Sequence, residues 1–152
     1  MKRCTILALL AFIAGSWHIM AIACSCPKTL PPIEALEKAD AVFVGRVVKG
    51  EVRRHPHPKI KYWEDRSFTF EVKQFWKGEL QRTATVETGL NDGICGYHFI
   101  IGREYLVYAR RSEEGLYTSI CTRTKLWHHE GKSEVSEFGE SKSPENEKEA
   151  TP

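Results

Sequence analysis

Apolar residues along this chain alternate with polar ones over several short stretches, and only one stretch shows helical spacing. Ala41 to Val48 (AVFVGRVV) is an apolar, β-branched run with Gly45 inside it. Glycine within a strand marks a bulge or a sharp bend, because it brings no side chain to pack. Phe68 to Phe75 sets Phe68, Phe70 and Val72 on one face and Thr69, Glu71 and Lys73 on the other, the period-two pattern of a half-buried strand. Lys77-Gly78-Glu79 reads as a turn. Thr83 to Thr88, Tyr105 to Ala109 and Leu116 to Cys121 read as a third, fourth and fifth strand. Pro31-Pro32 followed by Ile33 to Ala39 predicts one short helix, since proline is tolerated in a first turn and Ile33, Leu36 and Ala39 share a face. Between the first two strands, Glu51 to Asp65 is polar and holds His55-Pro56-His57-Pro58. Proline has no N–H to give a ladder, so an exposed loop is expected there. Five short strands with bends and no repeats predict an all-β fold closed as a small barrel, where a sandwich would want about seven strands.

The two ends of the chain differ from this middle. Lys2 and Arg3 precede the apolar run Ile6 to Ala14, then Gly15 and Ala21-Ile22-Ala23, a small-residue processing site. Together these are the parts of a secretory signal peptide over residues 1–23. The run is shorter than the ~20 residues a bilayer needs, and no other segment is apolar enough, so no transmembrane segment is expected. Cutting after Ala23 leaves a secreted chain beginning Cys24-Ser25-Cys26. At the other end, residues 130–152 hold seven Glu and three Lys and lack apolar periodicity apart from Val135 and Phe138. Such a segment buries too little surface to offset its chain entropy, so an acidic, disordered tail is expected. One domain over 24–129 lies between.

Charge narrows the partners. The whole chain has 22 basic and 20 acidic residues, and the leader removes two basic ones, leaving the mature chain neutral. That is no footprint for nucleic acid, which calls for a clustered basic surface. Residues 24–129 alone carry 17 basic and 13 acidic residues, a weak bias toward an acidic protein surface. Trp63, Trp76, Trp127, Tyr97, Tyr105 and Tyr108 could form a base-stacking platform, but aromatics on strands are more often core. No phosphate-cradling glycine loop, nucleophile elbow or H-E-x-x-H occurs, and nothing pairs Asp92 with Glu104, so no enzyme and no cofactor are expected. His55, His57, His128 and His129 read as exposed polar residues.

Cys4 leaves with the leader, and Cys24, Cys26, Cys95 and Cys121 remain. An even count in a small exported protein argues for two disulfides. Cys24 and Cys26 would close a strained small ring with each other, so both reach forward to the distant pair; which takes which is open. A structural zinc site usually draws on C-x₂-C pairs, which this spacing does not supply.

Cys24-Ser25-Cys26, Ala41-Val42-Phe43-Val44-Gly45, Phe75-Trp76-Lys77-Gly78, Cys95-Gly96, Gly102-Arg103-Glu104-Tyr105-Leu106-Val107 and Cys121 together resemble the tissue inhibitors of metalloproteinases and the wider netrin-like module. The resemblance spans roughly residues 24–127. It implies a five-stranded OB-type barrel with one or two short helices, stapled by the disulfides Cys24–Cys95 and Cys26–Cys121. It further implies a monomeric inhibitor whose Cys24 α-amine and carbonyl ligate the catalytic zinc of a metalloproteinase, displacing the water that the enzyme would activate. Ser25 would point toward the specificity pocket, and Asn91, Asp92, Gly93 and Ile94 would form the second part of the contact ridge. The chemistry is self-consistent: an α-amine has a pKa near ~8, so a neutral fraction with a free lone pair exists at physiological pH.

The chain departs from the family in lacking a cysteine about ten residues after Cys26, where Leu36-Glu37-Lys38 stands, and in lacking the second, disulfide-rich domain. Two other readings of Cys24 follow from the same residues. It can be a purely structural staple of a non-inhibitory extracellular module. Alternatively, Ala21-Ile22-Ala23-Cys24 is a degenerate lipoprotein signal, with a lipid on the cysteine holding the protein to a membrane.

Overall fold

The longest feature of the chain is a hairpin of two 16-residue strands, β1 (Ala41–Pro56) and β2 (Tyr62–Lys77). It belongs to a computed structural model that describes residues 24–59, 61–90, 94–113 and 115–144. The expected leader, the expected contact residues Asn91, Asp92 and Gly93, and the last eight residues lie outside that range. Ahead of the hairpin stands one short helix, α1 (Pro32–Lys38). After it come β3 (Thr83–Gly89), β4 (Glu104–Ser112), β5 (Gly115–Tyr117) and β6 (Lys125–Leu126).

The strands form a ring. β1 pairs with β2 and β2 with β3, both antiparallel. β3 pairs in parallel with β5, β5 returns antiparallel to β4, and β4 runs antiparallel to β1 from Ala41↔Ala109 to Arg46↔Glu104. Five strands thus close on themselves, and β6 adds two rungs along β4. The register of β1 shifts between Val44 and Gly45, the bend expected of a glycine there. A Cβ on Gly45 would lie 3.1–3.2 Å from Phe43, Phe70 and the Glu71 carbonyl, so the curl of the ring depends on its absence.

The alternation of side chains separates two cores. Phe43, Val47, Phe70, Val86, Tyr105 and Val107 fill the inside of the ring. Phe99 enters it from the loop before β4 and stacks edge-on against Phe70 and Tyr105, with ring centroids 5.0 and 4.9 Å away. On the outside of β1 and β4, Val42, Val44, Leu106 and Tyr108 are covered by Ala35 and Ala39 from α1 and by Trp76, Trp127, Val135 and Phe138. β1 and β4 are therefore buried on both faces, which is why they read as unbroken apolar runs. Each such large side chain contributes roughly 1.5–3 kcal/mol by leaving water. Tyr105 and Tyr108 are each 2 % exposed and are core residues, unavailable to stack a ligand.

Five expectations need correction. Glu51 to Asp65 is not a loop: β1 and β2 run on as a paired arm to Pro56↔Tyr62. Pro56 takes the last rung and Pro58 lies in the turn, so the prolines end the ladder without breaking it. Cross-strand contacts hold this polar arm together: Arg54 with Glu64 at 2.7 Å, and His55 stacked on Trp63 at 4.0 Å. Nor is His55 exposed; its side chain is 12 % accessible and lies 3.2 Å from Asp65. The helix turns Ala35 and Leu36 inward and leaves Ile33 37 % exposed. The fifth strand stops at Tyr117, since residues 118–121 leave the sheet.

The fifth correction concerns the expected tail. Residues 127–137 form successive helical turns, Trp127–Gly131, Lys132–Glu134 and Val135–Glu137. They lay Val135 and Phe138 on the outer core, and Lys142 then exchanges two backbone hydrogen bonds with Phe75 at 2.9 and 2.7 Å. The packed region therefore reaches Lys142, past the expected boundary at 129. Two apolar residues suffice here because Glu134 adds a polar anchor. Its side chain is 4 % accessible and accepts from Arg123, from Lys125 at 2.6 Å and from the Tyr108 hydroxyl. Burial alone would raise the carboxyl, but the hydrogen bonds from Arg123, Lys125 and Tyr108 outweigh it and hold the pKa at about 2. A carboxyl with a depressed folded-state pKa stabilises above its unfolded value, and that contribution is lost as the pH falls through the folded one. Melting temperature should accordingly fall between pH 4.5 and about 2, and Glu134→Gln should flatten that decline; thermal melts of both proteins across this range check it.

Candidate functional site

Two disulfides fasten the first described residues to the far end of the ring. Cys24 is bonded to Cys95, 71 residues away, and Cys26 to Cys121, 95 residues away. This is the pairing that the family resemblance implies. The bridges touch each other, with the Cys121 Sγ 3.8 Å from the Sγ of both Cys24 and Cys95. Ser25, between the two staples, is exposed, as are Pro27, Lys28 and Thr29; Cys24 itself is half-buried.

The segment that carries Cys95 is held in an unfavourable backbone conformation. Cys95 has φ +58°, a region few residues other than glycine adopt. Its neighbours enforce it: the Cys95 carbonyl accepts from the Ile120 N–H at 3.0 Å, and the Tyr97 N–H donates to Thr88 Oγ1 at 2.7 Å. Beneath it, the end of β3 comes so close that a Cβ on Gly89 would sit 2.5 Å from the Ile94 carbonyl oxygen and 3.0 Å from the Gly96 nitrogen. Gly89→Ala should thus push the 94–96 segment outward and lower stability by ~1–3 kcal/mol, the usual cost of overpacking. Denaturant unfolding of the two proteins measures this.

Cys121 is placed by hydroxyl groups where the sheet has ended. Fully buried Thr118 donates from Oγ1 to the Tyr108 carbonyl at 2.9 Å and meets Thr124 Oγ1 at 2.8 Å. Thr124 Oγ1 accepts from the Tyr108 N–H at 3.0 Å, and Ser119 Oγ accepts from the Cys121 N–H at 3.2 Å. These side chains satisfy the polar backbone that a longer strand would otherwise have paired.

The result is one end of the molecule where the backbone of Cys24 and Ser25 lies beside two segments tied to it by sulfur. Each of those segments presents an isoleucine just before its cysteine, Ile94 at 53 % and Ile120 at 41 % exposure. Of the expected contact residues, Cys24, Ser25, Cys26 and Ile94 come together here. Ile120 joins them, and sequence reasoning passed over it although it precedes Cys121 as Ile94 precedes Cys95. Three sulfurs, of Cys24, Cys95 and Cys121, lie within 4.8 Å of one another, but each is in a disulfide and offers no thiolate to a metal. What this end has for a metal is backbone: in a chain starting at Cys24, the α-amine nitrogen and the carbonyl oxygen of one residue make a five-membered chelate. Glu104 is engaged elsewhere, with Lys73 and, at 3.8 Å, His128. Comparison with protein-family models and with curated proteins finds no match for this chain.

Proposed function

We propose that this protein is an exported inhibitor of zinc metalloproteinases, similar to the single inhibitory domain of the tissue inhibitors, and that its five-stranded ring is an OB-type barrel. The observation that supports it is the double stapling of Cys24 and Cys26 around an exposed Ser25. A flexible N-terminus would bind zinc weakly, because its ordering cost would offset the coordination energy. Here that cost is met during folding. The partner's zinc, which keeps one position open to water, would take the Cys24 amine and carbonyl there. Ser25 would enter the adjoining pocket, and Ile94 and Ile120 would lie on the enzyme surface. The test has two steps. The intact mass of the exported protein should correspond to a chain starting at unmodified Cys24, about four hydrogens lighter for two disulfides. That protein should then inhibit at least one of a panel of zinc proteases with one-to-one stoichiometry. A mass carrying a lipid, or a start at another residue, overturns the mechanism.

The β1–β2 arm favours a second reading. It extends beyond the ring and exposes Val52, Tyr62 and Trp63 at 56, 39 and 40 %, a surface suited to a non-inhibitory, netrin-like contact with another extracellular protein. A lipid on the Cys24 sulfur belongs with this reading alone, since a thioether there excludes the bond to Cys95.

A further inference from the structure

Beside the N-terminal segment, between α1, the end of β4 and the 119–123 segment, opens a groove of about 680 Å³, a size typical of small-ligand sites. Its apolar surface comes from Leu30, Ala35, Ala39, Tyr108 and Ala109, and five cations line it: Lys28, Lys38, Arg110, Arg111 and Arg123. No carboxylate lines it among the described residues. Two of the cations are neutralised, Lys38 by Glu34 at 2.7 Å and Arg123 by Glu134. Lys28, Arg110 and Arg111 are exposed and have no carboxylate partner among the described residues. Asp40 lies close by, its carboxylate accepting the Arg111 backbone N–H at 2.7 Å. Arg111 pairs with Leu116 and shares the ring-interior side of β4 with Ala109, whereas Arg110 pairs with Tyr117 on the groove side. Lys28 and Arg110 are therefore the two cations beside the apolar floor that no carboxylate among the described residues neutralises.

We infer that this groove binds an extended, acidic segment of a partner polypeptide in which carboxylates alternate with apolar side chains. The two halves of the surface ask for both features at once. In an extended chain successive side chains point to opposite sides, so one set reaches the floor while the other meets Lys28 and Arg110. A sulfated polysaccharide would satisfy the cations and leave the floor unused. The Arg110 guanidinium can hold a carboxylate through two parallel hydrogen bonds. The inference goes beyond zinc chelation and stands whether or not Cys24 reaches a metal, because neither cation belongs to the chelating end.

Fluorescence polarisation with the disulfide-intact mature protein tests it. The probe is a fluorescein-labelled ten-residue peptide of alternating Glu and Leu; the comparisons are the same peptide with Lys for Glu, an oligo-Glu peptide and a sulfated heparin oligosaccharide. Saturable binding of the Glu/Leu peptide alone is expected. It should weaken at least ~10-fold in a Lys28→Glu, Arg110→Glu protein, as reversal of contacting charges requires. Circular dichroism and melting temperature establish that this variant folds. If it does not, the single Lys28→Gln and Arg110→Gln proteins replace it, each with a smaller loss expected. Equal binding of oligo-Glu, tighter binding of the heparin oligosaccharide, or a Glu/Leu affinity that the substitutions leave unchanged would each overturn the assignment.

Discussion

Placing one alanine ahead of Cys24 should abolish inhibition of any metalloproteinase that the mature protein inhibits, while leaving its melting temperature unchanged. The extra residue turns the α-amine of Cys24 into an amide, whose nitrogen lone pair is delocalised and no longer coordinates metal. It also puts a methyl-bearing residue where the zinc would sit. Losing a bidentate ligand should raise the inhibition constant at least ~100-fold, or roughly 3 kcal/mol. Nothing in the fold contacts the added residue in a stabilising way, so disulfide formation and unfolding should be unaffected. Inhibition constants and melting curves of the two proteins, each confirmed by mass, make the comparison. An extended protein that still inhibits at the original concentration would sink the chelation mechanism and leave the arm as the site of action.

Replacing both Cys26 and Cys121 by alanine should have the largest effect on stability. With Cys24–Cys95 still in place, the loop that this bridge closes runs from Cys26 back to Cys24 and from Cys95 on to Cys121, about 28 residues, for which the chain-entropy account gives ~3.5 kcal/mol. A domain of this size holds only ~5–15 kcal/mol in all, so the variant should unfold at far lower denaturant concentration. Inhibition should suffer beyond the loss of folded protein, because Ser25 is then tied from one side only. Denaturant curves give the first quantity. Inhibition measured where the variant is still folded gives the second, and an undiminished value there would mean that the Cys24–Cys95 bridge alone orders the end.

Most strands were legible because their neighbours bury them in a regular way. Phe68, Phe70 and Val72 alternate since one side of β2 faces the ring, and β1 and β4 read as apolar runs since both sides are covered. The outer arm was illegible because it is held by cross-strand pairs such as Arg54 with Glu64, which leave no apolar period. The ordered segment after residue 129 was hidden for a related reason. Glu134 reads as one more surface acid, and its worth lies in Arg123 and Lys125, which the fold alone brings to it. The candidate site was legible at Cys24, Ser25 and Cys26 through cysteine spacing and family resemblance. The groove was not, since Lys28 and Arg110 are 82 positions apart in the chain and only the placement of α1 beside β4 makes them neighbours.

The ring is unevenly sealed. β1 and β4 share six paired positions, whereas β3 and β5 meet through two, Val86↔Leu116 and Glu87↔Tyr117. An open seam there would leave the edge of β3 as a template for pairing with another chain. The two disulfide cysteines Cys95 and Cys121 follow just after the strands that form this seam, and the Ile120–Cys95 hydrogen bond spans the same gap. Cys24 to Cys26 are thus a clasp: one strap, bonded on either side, shuts the ring covalently where its hydrogen bonds are fewest. Reducing agents should for that reason open the ring at this seam and expose the protein to self-association.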